Sequence, residues 1–387
     1  MVEGTCAPAF AAVRSEFAAN LERRGELGAA VCVYVDGAPV VDLWGGYRDA
    51  ARTRPWARDT IACVASSGKG PAAVCLLRLV ERGLVELDEP VATYWPEFGQ
   101  QGKGAIPVRW LLSHRAGLPA IRRDMTTESM YDWFPFVEAL AQETPWWIPG
   151  TRHGYHALTF GFLVGEVVRR VSGRSIGRYL REEIAEPLDA DIHFGVSADD
   201  DARVAEIRVG SGVEAGSSSF WALLAADPAS MSARAFFNPP RPPQGMNTRV
   251  WRAAEIPASN AHASARGLAR LYAALACDGH LNGAQVLGAE TIRAATHEQS
   301  NGVDAVIQMQ SRFGLGFWLP TPAAPFGTRA QAFGHPGRGG SVGFADPTAR
   351  VGFGYVPNQY VDGSLSEPDP RAKSLVDAVY RSLAGAQ

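Results

Sequence analysis

Residues 61–80 read IACVASSGKGPAAVCLLRLV, and the reading of this stretch governs the rest of the chain. An apolar entry of strand character runs into Ser66-Ser67-Gly68-Lys69, and an apolar helix-forming run follows at once. Residues three apart are neighbours on a helix, so the Ser66 hydroxyl and the Lys69 amine share a face. A serine hydroxyl is a poor nucleophile until a base takes its proton. A lysine whose ammonium form is disfavoured by burial supplies such a base without histidine. The helix start adds unpaired N–H groups and positive dipole charge where a tetrahedral oxyanion would form. The spacing alone is weak, because 23 serines and three lysines (Lys69, Lys103, Lys373) in 387 residues give roughly 0.2 chance matches to S-x-x-K. Context adds weight. Lysine is nearly excluded elsewhere in favour of arginine, yet this apolar helix start keeps one, where a permanently protonated arginine could not act as a base.

Composition narrows the function classes. A 46% apolar chain of 387 residues supports a large core in one large or two medium domains. A net charge of -3 and the lack of basic runs argue against nucleic acid as partner. The opening MVEGTCAPAF has neither a basic start nor a continuous apolar run, and no stretch reaches the roughly 18 apolar residues of a membrane helix. A soluble, cytoplasmic protein that does not enter membranes is the expectation. The five cysteines (Cys6, Cys32, Cys63, Cys75, Cys277) are scattered and without C-x-x-C spacing, so neither a disulfide framework nor a zinc site is expected. Cys63, three residues before Ser66, is a rival nucleophile without a visible partner.

Residues 8–24 carry Phe10, Val13, Phe17 and Leu21 at helical spacing, an amphipathic helix in need of a surface. AAVCVYV, Asp36-Gly37 and PVVDLWGGY supply it as an antiparallel hairpin. Helices are expected after Ser66, at Val108 to His114, at Thr159 to Val171, at Ser175 to Ile184, after a Ser264 cap, and at Leu375 to Leu383. The segment from Thr127 to Trp147 is strongly aromatic, with Tyr131, Trp133, Phe134, Phe136, Trp146 and Trp147, and suits an apolar acyl pocket. Residues 198–260, Gly/Ser-rich at 210–219 and proline-rich at 238–243, read as a long irregular insertion of the kind that walls binding sites. Strands return at Phe313 to Leu319, around Phe333, and at Val351 to Val356. The expectation is α+β: one antiparallel sheet built from residues 1–65 and 300–387 and flanked by helices, with a mostly helical domain, 66–299, inserted between.

Gly173-Arg174-Ser175-Ile176-Gly177 matches the nucleophile-elbow pattern G-x-S-x-G, but that elbow needs a strand before the serine. Here the preceding segment is helical, and Ser175 reads as a helix cap. His153 and His156 lack a third ligand or carboxylate partner for a metal and read as surface or cleft-edge residues. His114 reads as a buried structural histidine.

Ser66 and Lys69, with Tyr155 and the His335-Pro336-Gly337 stretch, resemble the serine β-lactamase-like, penicillin-recognising family, most closely its class C and family VIII carboxylesterase branch. The resemblance runs in order along nearly the whole chain, through Leu111-Leu112-Ser113-His114, Gly117-Leu118 and Gly339-Gly340-Ser341. It implies a β-lactamase-like fold, no cofactor, Ser66 as the acylated nucleophile, Lys69 as its proton acceptor, and Tyr155 as a second base. It puts His335 at the lysine or tryptophan position of the third motif, and the oxyanion hole at the backbone N–H groups of Ser66 and Arg338, since Pro336 has none. His156, Ala157 and Gly337 would line the substrate cleft, with Trp133 and Trp147 in its acyl pocket. Ala157 replaces the asparagine that holds a β-lactam amide, and His335 replaces the cation that attracts the drug's carboxylate. The expected activity is therefore a carboxylesterase acting on small esters. The alternatives are a transacylase passing the acyl group to an amine or alcohol, then a β-lactamase or D-amino peptidase. An inert scaffold of the same fold is disfavoured by the presence of Ser66, Lys69 and Tyr155 together.

Overall fold

A computed structural model describes residues 2–210, 219–242, 245–324, 326, 330–361 and 367–385. Six strands form its central antiparallel sheet: β1 (Val2–Cys6), β2 (Gly28–Val35), β3 (Ala38–Gly46), β4 (Phe333–Pro336), β5 (Val342–Asp346) and β6 (Val351–Pro357), in the order β1-β3-β2-β6-β5-β4. The two chain ends meet where β6 pairs with β2, Phe353 opposite Val33. The β2–β3 hairpin turns at Asp36-Gly37, both with positive φ, the conformation a two-residue hairpin turn demands. β1 carries no alternating apolar pattern, because it is a mostly exposed edge strand.

Alternation along β6 sorts the two faces. Val351, Phe353 and Tyr355 pack with Val13 and Phe17 of α1 (Ala11–Arg23) and with Leu375 and Val379 of the C-terminal helix (Pro370–Gly385). Gly352 and Gly354 face the other way, where a Cβ would lie 2.3 Å from the Ala273 nitrogen and 2.2 Å from the Ala265 oxygen. Bare backbone there lets the helix Ala265–Ala276 lie directly on the sheet. This differs from the expected division, which assigned that helix to the inserted segment; it packs on the sheet because Gly352 and Gly354 of β6 and Gly343 of β5 leave bare backbone beneath it.

On the far side lie α2 (Lys69–Glu81) and α3 (Thr159–Ser172), packed on each other. Gly173 ends α3 in the left-handed conformation, and Ser175 caps Ile176–Leu180 by accepting the Arg178 N–H. The G-x-S-x-G match is thus a helix stop followed by a helix start. The insertion is less irregular than its prolines implied: Ser219–Ala226, Met231–Phe237 and Arg249–Ala253 are helices, the latter two capped by the Ser230 and Thr248 side chains. Most of its Gly/Ser-rich part and Pro243 lie outside the described residues. The expected strand from Phe313 to Leu319 stops at Phe313, pairing as Gln310–Phe313 with Ser300–Val303. No helix among the described residues is long and apolar enough to cross a membrane.

Candidate active site

Ser66 is held by strand pairing before it and a helix after it. Ala62–Cys63 pairs with His262–Ala263, the Val64 N–H donates to the Ala261 oxygen at 2.7 Å, and Ala65 then takes a left-handed φ of 45°. For a residue with a Cβ that conformation costs on the order of 1 kcal/mol and persists only where the surroundings impose it. It swings the chain into the tight helical turn Ala65–Gly68, from which α2 begins at Lys69. Two hydroxyls tie this turn to the β4–β5 loop: Ser67 Oγ donates to the His335 oxygen at 3.0 Å, and Ser341 Oγ donates to the Val64 oxygen at 2.8 Å.

Lys69 is fully buried, and its Nζ lies 3.2 Å from Ser66 Oγ, 2.8 Å from the Ala157 oxygen and 3.1 Å from the Ala258 oxygen. Burial holds the amine well below the ordinary lysine range, because a charged group loses hydration that no carboxylate here replaces. Once deprotonated, the amine would keep two N–H bonds for the two carbonyls and a lone pair for the Ser66 hydroxyl. Lys103 is a useful contrast. It too is buried, but its Nζ is spent on the carbonyls of Ala141 and Glu143 at a helix end, with no hydroxyl beside it.

The Tyr155 ring sits beside this pair, its centroid 4.7 Å from Lys69 Nζ. Burial pushes the phenol up, and the neighbouring Ser66 hydroxyl counteracts part of that. The segment bearing Tyr155 has no regular structure and is pinned group by group. The Gly154 N–H donates to the His114 oxygen at 3.1 Å, the Tyr155 N–H to Asp304 Oδ1 at 2.9 Å, and the His156 N–H to His114 Nδ1 at 3.1 Å.

His335 lies behind the cavity rather than on its wall. Its ring centroid is 5.9 Å from that of Tyr155, Nδ1–H donates to the Pro336 oxygen at 2.7 Å, and Nε2 has no partner. Burial pushes its pKa down to about 3, so the imidazole is neutral at pH 7 and cannot attract a carboxylate by charge. Gly337, Arg338 and Ala157 do line the cavity that opens over Ser66. The Gly337 N–H is committed to the Ser341 oxygen at 2.7 Å.

Three residues expected in the cleft are elsewhere. His156 is fully buried, Nε2 accepting the Leu118 N–H and Nδ1–H donating to the Gly154 oxygen, which makes it a brace for the tyrosine segment. Trp133 packs on Phe162 and Gly165 and donates its indole N–H to Glu166 Oε2 at 2.7 Å. Trp147 packs edge-on against His156 behind Gly154. Trp133 is drawn away from Ser66 by α3, and Trp147 by the tyrosine segment. His153 and His156, expected at the surface or the cleft edge, are both buried. Cys63 is buried with its thiol pushed up by desolvation, which removes the thiolate a cysteine nucleophile needs.

The cavity, about 330 Å³, is walled by Trp221, Phe236, Met246 and Trp251 from the insertion and by Ile307 and Trp318 from the loops that follow it. Sequence reasoning missed the backbone oxygen of Ala258, and with it Asn260, which orients that loop by donating to the Trp251 and Ala254 oxygens and accepting the Ile256 N–H. It also missed Asp304. A carbonyl carries no residue signature, and a lone aspartate in a turn reads as turn chemistry.

A serine beside a buried lysine and a tyrosine, at the junction of a helical layer and an antiparallel sheet, defines a class, and comparison with known proteins agrees. Residues 13–378 match the β-lactamase family, and the chain belongs to that family, whose members here are enzymes of the β-lactamase-like serine-hydrolase type. It is 37% identical over 362 residues, 92% of this chain and 83% of the other, to the esterase/beta-lactamase LipL of Mycobacterium tuberculosis. Two solved structures are similar over 99% of this chain and 100% of their own. One is a family VIII carboxylesterase, with a TM-score of 0.91 and 39% identity, and the other a penicillin-binding protein homologue from Caulobacter crescentus, with a TM-score of 0.89 and 38% identity.

Proposed function

We propose that this chain is a carboxylesterase that hydrolyses small esters through an acyl-enzyme on Ser66. Ser66 Oγ attacks the ester carbonyl carbon while its proton passes to Lys69 Nζ. The tetrahedral oxyanion is held by the backbone N–H groups of Ser66 and Arg338. Collapse breaks the bond to the alkoxide, which takes the proton relayed through Tyr155. Water then adds to the acyl-enzyme, gives up a proton to the same pair, and releases the acid with Ser66 restored.

The observation that carries this reading is the buried Lys69 amine, 3.2 Å from Ser66 Oγ, with its two other contacts both carbonyl oxygens. Esters are favoured over carboxylated amides by the neutral His335, by Ala157 in place of an amide-holding side chain, and by the aromatic walls over Ser66. Two relatives that cover most of the chain are named as esterases. The test is turnover of p-nitrophenyl butyrate by wild type and Ser66→Ala, with mass spectrometry after a fluorophosphonate. One adduct on Ser66 and loss of turnover in the variant are expected; turnover that survives Ser66→Ala refutes the proposal. Adding amines during turnover measures whether water is the acceptor: amide in place of acid overturns the hydrolytic assignment.

A further inference from the structure

Asp304 is fully buried, and among the described residues no lysine or arginine lies within ion-pairing distance of it. Two other buried carboxylates are ion-paired, Glu26 with Arg371 and Glu166 with Arg169 and Arg170. The charge of Asp304 is met by hydrogen bonds instead. Oδ1 accepts three backbone N–H groups, from Tyr155 at 2.9 Å, Val306 at 2.8 Å and Ile307 at 3.0 Å. Oδ2 faces the Ser311 hydroxyl at 3.3 Å and His153 Nε2 at 3.9 Å, and those two are themselves 2.9 Å apart. The Ala305 N–H donates back to the His153 oxygen at 3.0 Å. The ring of contacts closes residues 153–155 onto 304–311.

We propose that Asp304 is a positioning residue of this site, acting through Tyr155: it holds that residue's backbone, and through it the phenol, against Ser66 and Lys69. The inference rests on the role proposed for Tyr155. A buried carboxylate is expensive to keep without a cation, and the N–H it takes from Tyr155 belongs to a residue outside any helix or strand, between neighbours whose own N–H groups are held by His114. Ile307, in the same turn, walls the cavity, so one carboxylate sets both the phenol and part of the substrate space. Its charge also acts on the phenol. The groups facing Tyr155 are Lys69, His114 and His335, with Asp304 behind its backbone and His153 beyond that. Of these Asp304 is the anion, and it opposes ionisation of the phenol.

Two substitutions separate geometry from charge. Asp304→Asn keeps an oxygen for the three N–H groups and turns its NH2 towards Ser311 Oγ and His153 Nε2, so the segment stays in place while the charge goes. Its kcat and KM are expected within about threefold of wild type, because the three N–H bonds that hold the segment remain. Asp304→Ala frees the segment and is expected to lower kcat about 10- to 100-fold with KM within about twofold, the cost of a small misplacement of a reacting group. Tyr155→Phe is measured alongside. A crippled Tyr155→Phe beside a folded Asp304→Ala of wild-type kcat overturns this inference alone; a fully active Tyr155→Phe overturns it together with the role of Tyr155. Should Asp304→Ala not fold, Asp304→Glu, which moves the carboxylate by one methylene, decides: kcat lowered at least about tenfold with KM within about twofold supports the inference, and a wild-type kcat overturns it.

Discussion

Replacing Gly337 by alanine tests how tightly the serine turn and the β4–β5 loop must fit. A Cβ at Gly337 would lie 2.2 Å from Ser341 Oγ, 2.2 Å from the Val64 oxygen and 2.9 Å from Ser67 Oγ. The Ser341 hydroxyl cannot simply rotate away, since it donates to the same Val64 oxygen, and that oxygen is backbone just ahead of Ser66. To reach even 3.0 Å, the loop and the turn must part by about 0.8 Å, close to the 1 Å misplacement that costs on the order of 100-fold in rate. Arg338, next in the chain, is carried with the loop, and losing one oxyanion donor costs about 10²–10³ in kcat. Gly337→Ala should therefore lower kcat for p-nitrophenyl butyrate about 100-fold with little change in KM. Overpacking of this kind costs about 1–3 kcal/mol, so a melting point lower by a few degrees accompanies the loss. The assay pairs initial rates with a thermal melt and the pre-steady-state burst of acylation. A folded variant whose kcat stays within about threefold of wild type refutes the reasoning, because the clash would then relax without moving the oxyanion donors.

Three further expectations follow from particular contacts. Lys69 is held well below its ordinary pKa by burial, and the proposed mechanism needs the neutral amine. The acid limb of kcat/KM should thus fall well below the ordinary lysine value of about 10.4, with activity full above that limb and lost as pH drops through it; a limb near pH 10 would contradict the assignment. Ser175→Ala removes an exposed cap and its bond to Glu255, so unfolding should cost about 1 kcal/mol less while kcat is unchanged, and a dead but folded variant would restore Ser175 as a candidate nucleophile. Phe236 walls the cavity with its ring 6.4 Å from that of Tyr155; Phe236→Ala should raise the ratio of kcat/KM on octanoate to that on butyrate esters, and an unchanged ratio would remove Phe236 from the acyl site.

Local signals were legible wherever a short stretch of chain suffices to set the geometry. Ser66 and Lys69 are three apart at a helix start, and no distant contact is needed to put them on one side. Ser175 and Ser264 cap helices by reaching N–H groups three residues on. The hairpin Gly28–Gly46 follows from alternation and a turn that demands positive φ. What failed was inference from residue type to neighbour. Trp133 and Trp147 are apolar and bulky wherever they go, so their identity spoke of burial and not of the partner; α3 and His156 took them, and Trp221, Phe236 and Trp318 took the cavity.

The sequence alone determined that a serine and an amine would meet on one helix turn, and that the chain's two ends would supply one sheet, because helical and strand periodicity are properties of consecutive residues. Only the tertiary structure decided that the amine would be stripped of water between the carbonyls of Ala157 and Ala258, that bare glycines would bring a helix onto the sheet, and that Asp304 would reach Tyr155 across 149 positions. Desolvation and long-range hydrogen bonds depend on what packs around a group, and that is a property of the whole fold.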